Sequence, residues 1–167
     1  MKDDQLPTRR PGAVGALMDE YERACGTLIR TLQGVAEVDF TRVVDRETKD
    51  DACRSIQTIV GHVLASGYGY ADYIRTSFGI NKNSPPPTLP CIEEFPESLR
   101  KMLQYAETTL EGRWEIDDEE IAAIRMRVRW GTTYDLEQLL EHAIVHILRH
   151  RRQIEHFLAL METGSGG

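Results

Sequence analysis

The chain has 167 residues, of which 41% are hydrophobic and 28% are charged, a balance typical of one globular domain with a single core. Its net charge of −7 argues against wholesale binding to nucleic acid or to an anionic membrane. No apolar stretch approaches the roughly 20 residues of a transmembrane helix, and the first twelve residues lack the apolar segment of a secretory signal. We therefore expect a cytoplasmic protein without membrane or nucleic-acid partners.

Apolar residues recur at spacings of three and four along most of the chain, the pattern of helices with one buried face. A first helix is predicted to begin after Pro11 and to end near Gly34, because proline suits a first turn and glycine suits a helix end. A second helix is predicted to cover residues 51–78 and to stop at Gly79.

Three consecutive prolines at 85–87 separate the second helix from the third. Proline excludes helix there and favours a stiff, extended crossing. The third helix is predicted to open near Pro96 and to end at Gly112, and a fourth runs from a turn at residues 131–135 to about Met161. The N-terminal cap of this fourth helix has three candidates: Thr132, Thr133 and Asp135.

Residues 124–130 alternate apolar and basic side chains, with Arg125, Arg127 and Arg129 on one side. This period of two predicts a short extended segment, and a second one is expected around residues 40–44. We expect the two segments to form a hairpin that caps one end of the helices. The arginines either steer an anionic group towards a site or form a solvated face.

The predicted fold is therefore all-α: one four-helix bundle with long crossover loops and a short extended or hairpin segment. A single domain covers residues 1–167, and residues 1–11 and 163–167 are expected to fray. Three cysteines lie far apart in sequence, without a C-x-x-C pair. Their odd number predicts free thiols in a reducing compartment rather than disulfides.

All five histidines fall in two predicted helices: His62 in the second, and His142, His146, His150 and His156 in the fourth. Residues four apart advance about 40° around a helix axis and about 6 Å along it, so two such imidazoles can bind one ion. His146 and His150 lie in or beside the apolar sector of their helix, whereas His156 lies on its solvated side. His62 is the natural third ring, and the three are our predicted metal ligands.

Three neutral imidazoles leave an ion with open positions for water or substrate, and they suit zinc, nickel or ferrous iron. An interior histidine is also a common hydrogen-bonded core residue, so a core without metal is the alternative. Three buried rings without metal would leave several nitrogens unpaired, at about 1 to 3 kcal/mol each. No general base is assigned, because Glu137 and Glu141 point away from His150.

Two stretches of the chain resemble the DinB/YfiT-like superfamily of metal-dependent helical bundles. Residues 55–64, Ser-Ile-Gln-Thr-Ile-Val-Gly-His-Val-Leu, resemble its second-helix segment with a single ligand histidine. Residues 139–154 resemble its last-helix motif, roughly His-x-x-x-His-x-x-His-His-Arg-Gly-Gln-Ile. Arg151 and Gln153 fix the alignment to this motif.

That alignment places His146 and His150 at the ligand positions and His142 at a frequent non-ligand position. Three departures replace a common asparagine, histidine and glycine: Val145, Arg149 and Arg152. The resemblance implies an up-down-down-up bundle, a homodimer and a divalent metal held by three histidines. It also implies a metal-dependent transferase or hydrolase that acts on a small molecule, with a low-molecular-weight thiol as cosubstrate.

The alternative functions are a non-catalytic metal-binding or stress-associated dimeric protein, and a helical dimer without metal. A fourth protein ligand, such as Asp72 or Cys53, would favour a purely structural metal. Four further side chains are expected to line the pocket or to orient the ligands: Ser66, Tyr73, His142 and Arg151. Tyr68, Tyr70 and Tyr73 either line the pocket or pack in the core or a dimer interface.

Overall fold

The structure is a computed structural model that describes residues 9–164. Residues 1–8 and 165–167, parts of the two ends that we expected to fray, lie outside the described range. The described chain forms six α-helices: α1 (Gly12–Thr31), α2 (Glu37–Thr41), α3 (Ile56–Ser77), α4 (Phe95–Leu110), α5 (Asp118–Ala123) and α6 (Leu136–Gly164). The remaining regular elements are a 3₁₀ turn and two short strands: Asp51–Cys53, β1 (Met126–Arg127) and β2 (Thr133–Tyr134). No helix within the described range is long and apolar enough to cross a membrane.

Four long helices, α1, α3, α4 and α6, supply most of the core. Helix α1 contacts α4 and α6, and α3 also contacts α4 and α6, so each long helix has two long neighbours. The buried face of α1 follows the predicted apolar spacing through Met18, Tyr21, Cys25 and Leu28. The prediction of a mostly helical chain is confirmed, and the three cysteines are free, as expected.

The prediction of an extended segment around residues 40–44 is wrong, because Glu37–Thr41 forms α2. Phe40 is fully buried, and the acidic Glu37 and Asp39 favour the positive end of the helix dipole. A helix of five residues with one buried aromatic side chain is too short to show a period in the sequence. Its conformation depends on the core that receives the phenyl ring.

A hairpin does form, but both of its strands come from the segment before α6. Met126 lies opposite Tyr134 and Arg127 lies opposite Thr133 in an antiparallel pair. Strands that are neighbours in sequence pair more readily than distant ones, because a short loop closes at a lower entropic cost. The segment around residues 40–44 was therefore the wrong partner.

The chain just before α1 is anchored, in contrast to the fraying expected at residues 9–11. The guanidinium of Arg10 forms three ion pairs, one of them on α4: Asp19, Glu22 and Glu107. Two residues later, Gly12 has a φ of +72°. A β-carbon at Gly12 would overlap the carbonyl oxygen of Trp114, so glycine permits both the backbone angle and the close approach.

Ser55 begins α3, the helix that carries His62, with a capping box. Its hydroxyl accepts a hydrogen bond from the N–H of Thr58 at 3.1 Å, and the Thr58 hydroxyl accepts one from the N–H of Ser55 at 3.0 Å. Replacing Ser55 with alanine should lower the free energy of unfolding by about 1 kcal/mol, because an amide at the helix start loses its partner. Urea denaturation followed by circular dichroism measures the change.

The matched control is Ser77→Ala, at the exposed C-terminal end of the same helix. This substitution should change the free energy of unfolding by less than about 0.5 kcal/mol. Equal losses for the two variants would contradict the capping role of Ser55.

Candidate metal centre

Two helices position the three candidate ligands. His62 lies in the first half of α3, and His146 and His150 lie near the middle of α6. The start of α6 is fixed by Asp135, whose carboxylate accepts the N–H of Gln138 at 2.8 Å, while the Gln138 side-chain oxygen accepts the N–H of Asp135 at 3.1 Å. Asp135 is thus the cap among the three candidates that the sequence left open.

The ring nitrogens of the three histidines converge on one point. The Nε2 atom of His62 lies 3.0 Å from Nε2 of His146, and Nε2 of His150 lies 3.2 Å from the same atom. One nitrogen from each ring lies within 4.8 Å of the other two. Bonds of about 2.0 to 2.1 Å to one ion place neighbouring nitrogens about 2.8 to 3.0 Å apart in octahedral geometry and about 3.3 to 3.4 Å apart in tetrahedral geometry. The cluster could therefore hold a metal ion.

Hydrogen bonding alone does not account for this convergence. The Nε2 atom of an imidazole carries either one proton or one lone pair in the ring plane, so Nε2 of His146 cannot make directed hydrogen bonds to both neighbours. The Nδ1 atom of His150 donates to the side-chain oxygen of Gln153 at 3.1 Å. In a neutral His150 ring this bond leaves a lone pair on Nε2, facing the other two nitrogens.

The electrostatics of the cluster favour neutral rings. Burial, together with the neighbouring His150 and His62, lowers the pKa of His146 to about 3. Burial also lowers the pKa of His62 and of His150. All three rings are therefore neutral at pH 7, which is the form that binds a metal ion.

No fourth histidine, cysteine, aspartate or glutamate joins the group within residues 9–164. The carboxylate of Asp72 instead accepts hydrogen bonds from the hydroxyls of Ser84 and Tyr105, at 2.6 and 2.7 Å. The thiol of Cys53 donates to Asp50 at 3.5 Å. Since a structural zinc site is normally closed by four protein ligands, this set of three leaves coordination positions open.

A cavity of about 720 Å³ opens beside the histidines. The predicted ligands His62 and His146 lie on its wall, as do three of the four predicted pocket residues: Ser66, Tyr73 and His142. The fourth, Arg151, is not among the residues that line the cavity, and its guanidinium pairs with Glu155 at 3.2 Å. His62 and His146 thus place the cluster at the edge of this space, whereas His150 is not among the residues that line it.

Aromatic rings form one side of the cavity. The ring of Tyr70 lies with its centroid 5.7 Å from that of His146 and 5.4 Å from that of His142. Trp130 follows at 5.5 Å from His142. The hairpin that carries Trp130 is held to α3 by the hydroxyl of Tyr73, which accepts the N–H of Arg129 at 2.9 Å.

Six cavity residues were not identified from the sequence as site residues, and three of them have charged or aromatic side chains: Lys82, Trp130 and Arg149. The sequence could have identified Arg149 as a site residue, because it directly precedes His150 and its long side chain can reach around the helix. Of the three alternating arginines, Arg129 lines the cavity, and Arg125 and Arg127 do not. Arg125 and Arg127 are exposed, as expected for a solvated face.

Comparison with known proteins gives no family assignment. Neither the family models nor the curated proteins with which the chain was compared match it. The DinB-like resemblance stays a prediction that depends on the two stretches quoted above. The functional argument therefore depends on the geometry of the histidine cluster and of the cavity beside it.

Proposed function

We propose that the protein is a metal-dependent transferase that joins a low-molecular-weight thiol to a small electrophilic molecule. The S–H bond breaks and its proton passes to water, and a C–S bond forms as the leaving group departs from the electrophile with its bonding electron pair. In this proposal, His62, His146 and His150 hold a divalent zinc, nickel or iron ion. The observation that carries the proposal is the convergence of three neutral imidazoles on one point at the wall of an open cavity. A metal that only holds helices together needs neither the open positions nor the cavity.

The proposed architecture is a DinB-like four-helix bundle in up-down-down-up order. Its support is the closed ring of contacts in which α1 meets α6, α6 meets α3, α3 meets α4, and α4 meets α1. In such a bundle, side chains on facing helices build metal sites in the interior. The pairing of α3 with α6 brings together the two helices that carry the ligands.

The chemistry needs an acidified nucleophile, and the described residues offer no free carboxylate base at the cavity. Asp72 is the one carboxylate among the lining residues, and two hydroxyls already occupy its oxygens. A divalent cation held by the three imidazoles would act as a Lewis acid and lower the pKa of a water or thiol. Tyr70 and Trp130 would shield the reacting groups from bulk water.

The space beside the site favours a reaction of two substrates over hydrolysis. A second cavity of about 290 Å³ adjoins the first, and four residues line both: Ala65, Gly69, Asp72 and Pro87. A hydrolase needs room for one organic substrate and water, whereas a transferase needs room for two organic molecules. The joined cavities provide that room.

The proposal is tested with untagged protein loaded with zinc, nickel or ferrous iron. Cysteine, glutathione and coenzyme A are each mixed with one of three electrophiles: 1-chloro-2,4-dinitrobenzene, its carboxylate analogue 4-chloro-3,5-dinitrobenzoate, or monochlorobimane. Thioether formation is followed by absorbance or fluorescence. We expect metal-loaded protein to accelerate at least one pair, and EDTA to return the rate to that of buffer. His156→Ala, which alters an exposed histidine outside the cluster, should keep the activity.

If the protein binds metal tightly but accelerates the reaction of no thiol with any of the electrophiles, the transferase proposal is wrong. A non-catalytic metal-binding protein, the alternative considered from the sequence, would then replace it. This outcome is distinguishable from a loss of metal binding, because metal content is measured on the same samples.

We also propose the homodimer that the DinB-like resemblance implies. Its support is a small exposed apolar patch on α6, where Val145 and Leu148 lie close together and are 55% and 39% exposed. Light scattering on a size-exclusion column measures the molar mass. A dimer that becomes a monomer in Val145→Lys would assign the interface to this face, and a wild-type monomer would exclude the dimer.

A further inference from the structure

The cavity beside the histidines carries positive charge in a protein whose net charge is −7. Three cationic side chains line it, from the loop after α3, from the hairpin and from α6: Lys82, Arg129 and Arg149. The one acidic lining residue is Asp72, and its carboxylate is bound by Ser84 and Tyr105. The local balance of charge is therefore opposite to that of the whole molecule.

These three cations have no protein counter-ion in the described part of the chain. No carboxylate of residues 9–164 forms an ion pair with any of them. Arg10, by contrast, pairs with three carboxylates, and Arg75 donates to Thr109 at 3.0 Å and to the Asn81 carbonyl at 2.8 Å. Arg10 and Arg75 thus have protein partners, whereas the three cations at the cavity have exposed side chains and no carboxylate partner among the described residues.

Arg129 and Arg149 share a cavity wall with a candidate ligand and with an aromatic ring. Arg129 and Arg149 line the same cavity as His62, one of the candidate ligands. Tyr70, which forms the aromatic wall, lines this cavity too. Both guanidinium groups therefore lie near both a candidate metal ligand and the aromatic wall.

We propose that the cavity binds a small carboxylate whose charged group lies between Arg129 and Arg149 and whose apolar part lies against Tyr70 and Trp130. Guanidinium groups match the planar, two-oxygen geometry of a carboxylate, and aromatic side chains suit a flat or unsaturated body. Lys82 adds a third positive charge at the wall. The subsite deepens the proposed function, because it names the chemical class of the electrophile.

The test uses benzoate and benzamide, which have the same shape and differ in charge. Metal is removed with EDTA, and the EDTA is then removed by desalting, because its own carboxylates would compete for the site. Binding to the metal-free protein is measured by ligand-observed NMR and by titration, so that no cation contributes an anion site. We expect benzoate to bind at least about 10-fold more tightly than benzamide. Arg129→Gln and Arg149→Gln should each weaken benzoate binding by about 10-fold or more, the effect of losing one charge-assisted hydrogen bond, and should leave benzamide unchanged.

Two neighbouring arginines provide matched controls. Arg125→Gln alters the same segment of chain as Arg129, and Arg152→Gln alters the same helix as Arg149, yet neither residue lines the cavity. Both controls should bind benzoate as wild type does. Equal binding of benzoate and benzamide, or equal losses in the controls, would overturn the subsite, and inorganic phosphate binding as tightly as benzoate would overturn the assignment to carboxylates.

The two proposals fail separately. Benzoate binding to the metal-free protein, with no thiol transfer by the metal-loaded protein, would leave the subsite and remove the transferase. Thiol transfer without preference for benzoate over benzamide would remove the subsite and leave the transferase. Circular dichroism and thermal unfolding of every variant confirm that it is folded before its binding is compared.

Discussion

Replacing His146 with alanine should weaken the binding of a divalent cation by more than about 100-fold. His146 supplies the central nitrogen of the cluster, since the other two Nε2 atoms lie 3.0 and 3.2 Å from it. Changes to residues that merely orient a ligand already weaken metal binding by about 10- to 100-fold, and loss of a ligand exceeds that. Competition with a chromophoric chelator measures the affinity, and elemental analysis of untagged protein measures the content.

A second substitution at the same position, His146→Leu, separates the effect on metal binding from the effect on folding. In EDTA, His146→Leu should have a thermal midpoint equal to or above that of wild type, because it removes a buried ring with incomplete hydrogen bonding. Added metal at 100 times its dissociation constant should stabilise the wild type by at most about 2.7 kcal/mol, the value without binding to the unfolded chain, and leave His146→Leu unchanged. His156→Ala should behave as wild type throughout, and unaltered metal content in His146→Ala would exclude this residue from the site.

Replacing Gly12 with alanine should lower the free energy of unfolding by about 3 kcal/mol. The positive φ of +72° costs an alanine about 1 kcal/mol or somewhat more. The added β-carbon would overlap the backbone oxygen of Trp114 and lie 2.8 Å from Cα of Glu115, and forcing such a contact apart costs about 1 to 3 kcal/mol. Urea denaturation measures the sum.

Gly112→Ala isolates the conformational part of this loss. Gly112 has a similar φ of +77°, but a β-carbon there would meet nothing within 4 Å. Its loss should therefore be about 1 kcal/mol. Equal losses at the two positions would mean that the segment before α1 does not lie against Trp114 in solution.

The long helices were predictable because each repeats its apolar spacing over several turns. The convergence of His146 and His150 followed from their spacing of four within such a helix. The short α2 and α5 were not predicted, since five or six residues carry too little periodicity and the burial of Phe40 and Ile121 depends on the assembled core. Tertiary packing decides such elements more than local preference does.

The cavity was harder to predict than the ligands. Lys82, Arg129 and Arg149 come from three separate segments, and their meeting depends on where the loop after α3 and the hairpin lie. The bond from the Arg129 N–H to the Tyr73 hydroxyl places the hairpin, and the sequence does not indicate that these two residues pair. The period of two was sufficient to predict an extended segment, but it gave no information on which arginine enters the site.

The division of the three imidazoles between α3 and α6 would make a bound cation a tether across the interior. His62 and His146 are 84 residues apart in the chain. Any fluctuation that separates α3 from α6 would therefore remove one of the three ligands from the cation. The rate at which the cation dissociates, measured with a fast external chelator, would then report the rate of that fluctuation. Amide hydrogen exchange is the usual way to detect such openings. Because His146 and His150 stay adjacent in any residual helix, the opened chain would retain a weak hold on the cation. The stability gained from metal would be smaller than tight binding alone implies.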